Sequence, residues 1–163
     1  MTRIWVSIGS NIERESNIRS ALRLVGDRLG PALISPVYES AAEGFDGPAF
    51  FNLVTGYDTD LPPEKLLQLF ADIENSLGRR RGNKGLSSRP IDIDLLTYGD
   101  RVTEVDGRKI PREDILRYGF VLKPLADIAP EDRHPLTGDT FLNLWKRFPG
   151  RDQPLDPVDL RLD

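Results

Sequence analysis

The chain has 163 residues, 39% of them hydrophobic, and a formal net charge of −4, which fits one folded domain and argues against a general nucleic-acid binder. The lack of cysteine and the single histidine exclude disulfides, thiolate metal sites and a metal site of several histidines within the chain. Residues 1–6 lack the apolar core of a signal peptide, and no apolar run nears the roughly 20 residues that cross a bilayer, so we expect a cytoplasmic protein without a membrane partner.

The first half of the chain alternates between strand-like and helix-like patterns. Apolar runs at 4–8, 32–38 and 50–57 predict strands, because each is rich in β-branched and aromatic residues. Apolar residues at helical spacing predict helices over 18–29 and 63–77, the first ended by Gly-Pro and the second opened by Pro-Pro.

The second half of the chain is less regular. A basic stretch at 79–89, containing glycine and serine, has no periodicity and predicts a mobile loop. A strand is predicted at 91–96, and Asp106–Gly107 predicts the turn of a small hairpin over 102–110. The pattern then predicts, in order, a short helix at 112–116, a strand at 120–122 and a helical turn at 123–128.

Two segments have the composition of irregular structure. Residues 40–48 contain two glycines and little periodicity, which predicts a loop, and the tail 149–163 contains three prolines and many charges, which predicts partly loose chain. No internal repeat is present, and the chain length predicts one domain over 1–163. Hairpin-like connections between strands favour an α+β sandwich with a mostly antiparallel sheet over a doubly wound fold.

The sharpest chemical signal is Asp92-Ile93-Asp94 on a predicted strand. Residues two apart on a strand point to the same face, so both carboxylates share one face and Ile93 points to the other. Two carboxylates this close repel each other unless a cation lies between them, and Mg²⁺ favours such oxygens together with phosphates. The alternative is a solvated strand face whose aspartates pair with arginines.

The stretch before these aspartates is strongly basic. It contains no acidic residue and five cations, namely Arg79, Arg80, Arg81, Lys84 and Arg89. Arginine forks match phosphate oxygens in bidentate fashion, so the cations and the carboxylate pair together fit phosphoryl transfer. The alternative is a solvated basic loop.

Aromatic residues supply a second candidate site. Phe50 and Asn52 share a face of a predicted strand, where a ring and an amide could stack on and hydrogen-bond a flat heterocycle. Phe51 and Phe120 are core candidates by residue type, as is Phe50 itself. His134 lies among charged residues and is predicted to be exposed.

Five short segments occur in an order and spacing specific to one protein family. They are Ile8–Asn11, Phe50–Asn52, Glu74–Arg81, Arg89–Leu96 and Gly119–Leu125. Through these segments the chain resembles, from Ile4 to about Pro130, the 6-hydroxymethyl-7,8-dihydropterin pyrophosphokinases of the folate pathway.

The resemblance implies a ferredoxin-like fold, ATP as co-substrate and two Mg²⁺ ions that bridge its phosphates. The pterin hydroxymethyl oxygen would attack the β-phosphorus, and AMP would leave. Asp92 and Asp94 would bind metal and act in catalysis with Arg81 and Arg89. The resemblance further implies nucleotide contacts by Glu74, Arg79, Arg81, Arg89 and Arg112, and pterin contacts by Ser40, Phe50, Asn52 and Phe120.

Several positions depart from the usual residues of that family. Leu-Ser-Ser at 86–88 replaces Trp-Gly-Pro, Arg112 replaces a histidine, Tyr118 replaces an arginine, and residues 41–44 replace a proline-containing loop. These changes leave open a relative that acts on another pterin, and a weakly active or non-catalytic protein that binds a pterin or a nucleotide. An interaction domain whose basic loop docks an acidic partner is a further alternative. We expect a monomer, with a dimer left open.

The basic loop is expected to move during the reaction. Its like charges repel each other when no anion is bound, so bound polyphosphate should draw residues 79–89 closed over ATP. Leu86 offers less apolar surface than the usual tryptophan, which predicts a looser closed state and weaker substrate binding.

Overall fold

A computed structural model of the protein describes residues 1–41, 47–78 and 90–162. In these ranges the strands are β1 (Thr2–Ser10), β2 (Leu33–Ile34), β3 (Val37–Ser40), β4 (Phe50–Thr59), β5 (Asp92–Tyr98), β6 (Thr103–Val105), β7 (Arg108–Ile110) and β8 (Asp156–Val158). The helices are α1 (Arg14–Leu29), α2 (Pro63–Ser76), α3 (Asp114–Arg117), α4 (Gly119–Ile128) and α5 (Phe141–Lys146).

The central sheet has the strand order β5-β1-β4-β3-β8, and β2 pairs with the part of β4 that β3 does not cover. All of these pairings are antiparallel. The chain crosses from β1 through α1 to the β2–β3 edge, returns by the β4 hairpin and crosses again through α2 to β5. The predicted α+β, ferredoxin-like sandwich with a mostly antiparallel sheet is therefore confirmed.

Helices cover both faces of the sheet. On one face, α1 and α2 bury an apolar stripe that includes Ile18 and Leu66 against Ile4, Val6 and Ile8 of β1. On the other face, α3, α4 and α5 enclose a second apolar cluster around Trp5, Val54 and Leu96. Residues of β1 alternate between these two clusters, which explains why its sequence is a continuous apolar run.

The segment 120–122 was predicted as a strand, and this is wrong, because it forms the first turn of α4 (Gly119–Ile128). A short apolar run does not by itself separate a strand from a buried helix. The buried residues of α4, among them Val121, Leu122 and Leu125, recur at helical spacing against the second cluster. The predicted helical turn at 123–128 belongs to the same helix.

Two further sequence expectations differ from the structure. The strand predicted at 32–38 is divided into β2 and β3 at Ser35 and Pro36, where the Ser35 hydroxyl accepts a hydrogen bond from the backbone N–H of Val54 at 2.8 Å. His134, predicted to be exposed, is 1% exposed.

The C-terminal segment is part of the sheet. β8 pairs with β3, and Leu160 and Leu162 pack against the first apolar cluster. Burial of these side chains holds a segment whose composition alone predicted partly loose chain. The loop predicted at 79–89, its closure and residues 42–46 of the loop predicted at 40–48 lie outside the described residues. Within the described ranges, every helix is too short or too polar to cross a membrane.

Candidate functional site

Asp92 and Asp94 lie at the start of β5, an outer strand of the sheet. Ile91, Ile93 and Leu95 alternate with them and are buried in the first apolar cluster. The two carboxylates therefore point to the opposite face, the side covered by α3, α4 and α5.

The register of the sheet joins these aspartates to the candidate pterin residues. Gly9 of β1 lies opposite Asp92 on one side and opposite Asn52 of β4 on the other. Side chains directly opposite in antiparallel strands share a face, so Asp92, Gly9 and Asn52 form one row. Adjacent strands are about 4.8 Å apart, which places the aspartate and the asparagine roughly 10 Å apart across a residue without a side chain.

Gly9 is required in this row by a close approach. A Cβ atom at Gly9 would lie 2.8 Å from Oδ1 of Asn52, which is closer than real Cβ contacts. The predicted first strand ended before Gly9, whereas β1 continues to Ser10. Glycine at this position thus makes room for the asparagine amide between the strands.

The Asn52 amide is buried and held by β3. Its Nδ2 donates a hydrogen bond of 2.9 Å to Oγ of Ser40, and both residues are less than a tenth exposed. Phe50 lies two residues before Asn52 on β4 and opposite Ser40, so these three side chains share a face. The ring of Phe51 points to the other face, where the guanidinium carbon of Arg14 lies 3.7 Å from its centroid.

Asp94 lies among positive charges. Arg108 Nη1 and Arg112 Nη2 are 3.7 and 3.8 Å from Asp94 Oδ1, and Arg112 Nε is 3.3 Å from Asp114 Oδ2. Burial lowers the pKa of Arg112, but the carboxylates of Asp94 and Asp114 outweigh it and hold that pKa above its ordinary value. The result is a fixed guanidinium beside the carboxylate pair.

Glu74 approaches β5 from the other face. It is 8% exposed on α2, and its Oε2 accepts a hydrogen bond of 2.9 Å from the backbone N–H of Ile93. Ile93 lies between the two aspartates, so Glu74 fixes the strand that carries them.

Phe120 is the second residue of α4, which covers the same side of the sheet as Asn52 and the aspartates. Its ring stacks on that of Tyr118, with centroids 5.0 Å apart and planes 20° apart. Both rings are partly buried at the edge of the second apolar cluster.

The structure thus brings together, at one end of the sheet, the predicted residues Ser40, Phe50, Asn52, Asp92 and Asp94. Glu74 and Arg112 flank β5, and Phe120 lies on α4, which covers the same face of the sheet. The predicted residues Arg79, Arg81 and Arg89, and the departures at 86–88, lie outside the described residues.

Sequence reasoning missed Arg108, which the β6–β7 hairpin carries to Asp94. The one local signal was the Asp106–Gly107 turn, where both residues have positive φ and reverse the chain just before Arg108.

The donor chemistry of the carboxylate pair fits Mg²⁺. No group of three or more acidic or histidine side chains that could hold a metal by itself is found within 1–41, 47–78 and 90–162. Mg²⁺ is usually bound by one or two carboxylates together with substrate phosphates and water, and the pair Asp92 and Asp94 matches that donor set.

On an α+β sandwich, paired carboxylates beside guanidinium groups are typical of phosphoryl-transfer enzymes, and here β1 separates them from the buried amide of Asn52. Residues 5–130 match the model of the 7,8-dihydro-6-hydroxymethylpterin-pyrophosphokinase family. The chain belongs to that family, as its motifs predicted.

Individual proteins similar to this chain carry names of the same family or of folate synthesis. The 2-amino-4-hydroxy-6-hydroxymethyldihydropteridine pyrophosphokinase of Pseudomonas aeruginosa is 37% identical over 82% of this chain and 84% of its own length. Folic acid synthesis protein fol1 of Pneumocystis carinii is 35% identical over 91% of this chain, which spans only 20% of that protein. The crystal structure of Plasmodium falciparum HPPK-DHPS matches 92% of this chain and 45% of its own chain with a TM-score of 0.74. Its sequence identity is 16%, so this likeness supports the fold alone.

Proposed function

We propose that the protein transfers pyrophosphate from ATP to the hydroxymethyl group of 6-hydroxymethyl-7,8-dihydropterin, releases AMP and so serves folate biosynthesis. The observation that carries this proposal is the row of Asp92, Gly9 and Asn52 across the sheet. The row supports the proposal because it leaves the carboxylate pair roughly 10 Å from the buried amide, a spacing that a pterin and a polyphosphate would bridge.

The pterin is proposed to bind over β3 and β4. The Asn52 amide, oriented by Ser40, both donates and accepts hydrogen bonds, as the pyrimidine edge of a pterin requires. Phe50 and Phe120 supply apolar surface for its faces. Asn52 is buried, and its hydrogen bond to Ser40 already fixes the orientation of its amide. Little conformational entropy of the protein is therefore lost when the amide binds a ligand.

The triphosphate is proposed to bind beside β5. Asp92 and Asp94 would hold two Mg²⁺ ions, which supply charge neutralisation at the phosphate oxygens when bound. Arg112 adds a fixed positive charge at Asp94. Glu74 keeps β5 in place at the nucleotide, and the proposed nucleotide contacts also include, on sequence grounds, Arg79, Arg81 and Arg89.

In the proposed reaction the hydroxymethyl oxygen attacks the β-phosphorus. A new O–P bond forms as the hydroxyl gives up its proton to water, the bond between that phosphorus and the α,β-bridging oxygen breaks, and AMP leaves with the bridging oxygen. Asn52 orients the acceptor and the guanidinium groups stabilise charge on the phosphates. Positioning and electrostatics are the main protein contributions to such a transfer.

The decisive experiment quantifies AMP and ADP during turnover of a panel of reduced pterins with Mg-ATP. We expect AMP to be released in step with pterin consumption, and fastest with the 6-hydroxymethyl compound. Release of ADP alone contradicts the proposal. Tight pterin binding without AMP supports a non-catalytic binding protein, and faster turnover of another pterin supports a divergent relative.

A pair of variants tests the carboxylate site. Asp94→Asn keeps the shape but removes a ligand charge, so kcat should fall by a factor on the order of a thousand. Asp100→Asn, at an exposed turn after β5, is the matched control and should leave kcat unchanged. A near-normal rate for Asp94→Asn would remove the metal role.

A further inference from the structure

The edge of the pterin pocket is joined to α4 by a polar contact that lies outside the proposed binding residues. The hydroxyl of Tyr38 on β3 donates a hydrogen bond to Oδ2 of Asp127 on α4. The second carboxylate oxygen, Oδ1, accepts a hydrogen bond of 2.7 Å from Nζ of Lys123. We call Tyr38, Lys123 and Asp127 the β3–α4 clamp.

The clamp is partly shielded from solvent: Tyr38 is buried, and the side chains of Lys123 and Asp127 are 30% and 20% exposed. Tyr38 is 7% exposed, and the Lys123 ammonium lies 6.0 Å from the Tyr38 ring centroid and 5.7 Å from that of Trp145. Burial, followed by the hydrogen bond to Asp127, raises the pKa of Tyr38 far above its ordinary value, so the hydroxyl remains a donor. Hydrogen bonds to a charged group in such surroundings are stronger than those at the surface.

The β3 half of the clamp lies next to the residues proposed to read the pterin. Tyr38 pairs directly with Asn52 across β3 and β4, and Ser40, two residues further along β3, accepts the Asn52 hydrogen bond. The other side of β3 is held as well, because Arg14 pairs with Glu39 at 2.7 Å. The position of Ser40 therefore depends on how β3 is fixed.

The α4 half of the clamp leads to the opposite wall of the pocket. Lys123 and Asp127 lie three and seven residues after Phe120, a spacing that places all three on one side of a helix. The wall that carries Ser40 and Asn52 and the wall that carries Phe120 are thus joined by one hydrogen-bonded contact.

We propose that the β3–α4 clamp sets the separation of these two walls and thereby the affinity for the pterin, with Tyr38 as a positioning residue. The inference rests on the proposed function, because the pterin pocket is the site it adjusts. The clamp lies on the pterin side of the row, away from the aspartates, so pterin binding depends on it and ATP binding does not.

The test removes only the Tyr38 hydroxyl. For Tyr38→Phe, the pterin Kd measured by calorimetry and the pterin KM should both rise about tenfold, the loss expected for one hydrogen bond to a charged group. The ATP KM and kcat should stay within about twofold. Tyr98→Phe is the matched control: it loses a 2.9 Å hydrogen bond to Leu61 at the opposite end of β5 from Asp92, and its pterin Kd should not change.

A pterin Kd for Tyr38→Phe within about twofold of the unmodified protein, or an equal rise for Tyr98→Phe, would overturn the proposal. The Kd does not depend on turnover. A protein that binds pterin but releases no AMP would therefore contradict the proposed activity. The ratio of the pterin Kd of Tyr38→Phe to that of the unmodified protein would still test the clamp. Absence of pterin binding to the unmodified protein would contradict both.

A second variant tests whether the two halves act together. Asp127→Asn keeps an oxygen that can accept the hydrogen bond from Tyr38, so it should raise the pterin Kd less than Tyr38→Phe does. The pterin affinity of the double variant should be little lower than that of Tyr38→Phe alone, since both changes act through one contact. Additive losses would show that the residues do not work as a clamp.

Discussion

At the scale of single residues, Gly9 controls the orientation of the Asn52 amide. Because a Cβ atom would come within 2.8 Å of Asn52 Oδ1, Gly9→Ala must push the amide away and weaken its hydrogen bond to Ser40. The pterin KM should rise about tenfold, the equivalent of one hydrogen bond, with little change in the ATP KM. Steady-state kinetics with each substrate varied in turn measures both.

Gly26→Ala is the control for this change. A Cβ atom at Gly26 on α1 would meet no heavy atom within 4 Å among the described residues, so alanine should fit. Replacing a helical glycine should add roughly 0.5–1 kcal/mol of stability and leave both KM values unchanged. If Gly9→Ala also leaves the pterin KM unchanged, Asn52 does not contact the pterin as proposed.

At the scale of secondary-structure elements, β5 depends on α2 for one of its backbone partners. As an outer strand, β5 hydrogen-bonds to β1 on one side, and the N–H of Ile93 on its other side donates to Glu74. Glu74→Ala leaves this buried N–H without that acceptor and should lower the free energy of unfolding by about 1–3 kcal/mol. The urea midpoint at constant m-value measures the loss.

A more conservative change at the same position separates two roles of Glu74. Glu74→Gln keeps an acceptor oxygen for Ile93, so its stability should stay near that of the unmodified protein. A raised ATP KM in Glu74→Gln would then report the lost charge at the nucleotide. Glu64→Ala, at an exposed position of the same helix, should cost clearly less stability than Glu74→Ala. Equal losses would contradict the anchoring role.

At the scale of the whole molecule, stability should depend on the protonation of His134, the one histidine of the chain. Its Nδ1 accepts hydrogen bonds from the backbone N–H groups of Leu136 and Thr137 at 3.1 and 3.3 Å, and its ring packs edge-on against Phe141 of the second cluster. Burial lowers the pKa of His134 below the ordinary 6.5. Protonation would remove both hydrogen bonds.

The sign of the pH effect follows from this lowered pKa. The unfolded chain takes up a proton as the pH falls through about 6.5, whereas the folded protein does so only at lower pH. The contribution of neutral His134 is therefore complete above that pH and is lost as the pH falls below it, by at most about 1.4 kcal/mol per pH unit. Denaturant unfolding at pH 7.5 and 5.5 measures the loss.

His134→Asn provides the comparison. Asparagine offers an Oδ1 acceptor near the position of Nδ1 but does not titrate. Because the carboxylates contribute equally in both proteins, the loss of stability between pH 7.5 and 5.5 should be smaller in the variant, by at most about 1.4 kcal/mol. The same pH dependence in both proteins would exclude His134 as the cause.

The sequence determined the parts of this protein that local patterns encode. Alternation placed Asp92 and Asp94 on one face of a strand and Phe50 with Asn52 on one face of another, and helical spacing gave α1 and α2. The order of short motifs determined the family. Each of these features involves residues close together in the chain, where side-chain period and residue type are sufficient evidence.

Only the tertiary structure decided which of these faces meet. The register that sets Gly9 between Asp92 and Asn52, the approach of Arg108 to Asp94 and the burial of His134 all join residues distant in sequence. The same holds for α4, whose apolar run became a helix because it packs on the second cluster, and for β8, which the open edge of β3 holds. Strand register and helix packing depend on contacts between residues distant in sequence, which the local side-chain period does not specify. The arrangement of the site therefore follows only from the folded structure.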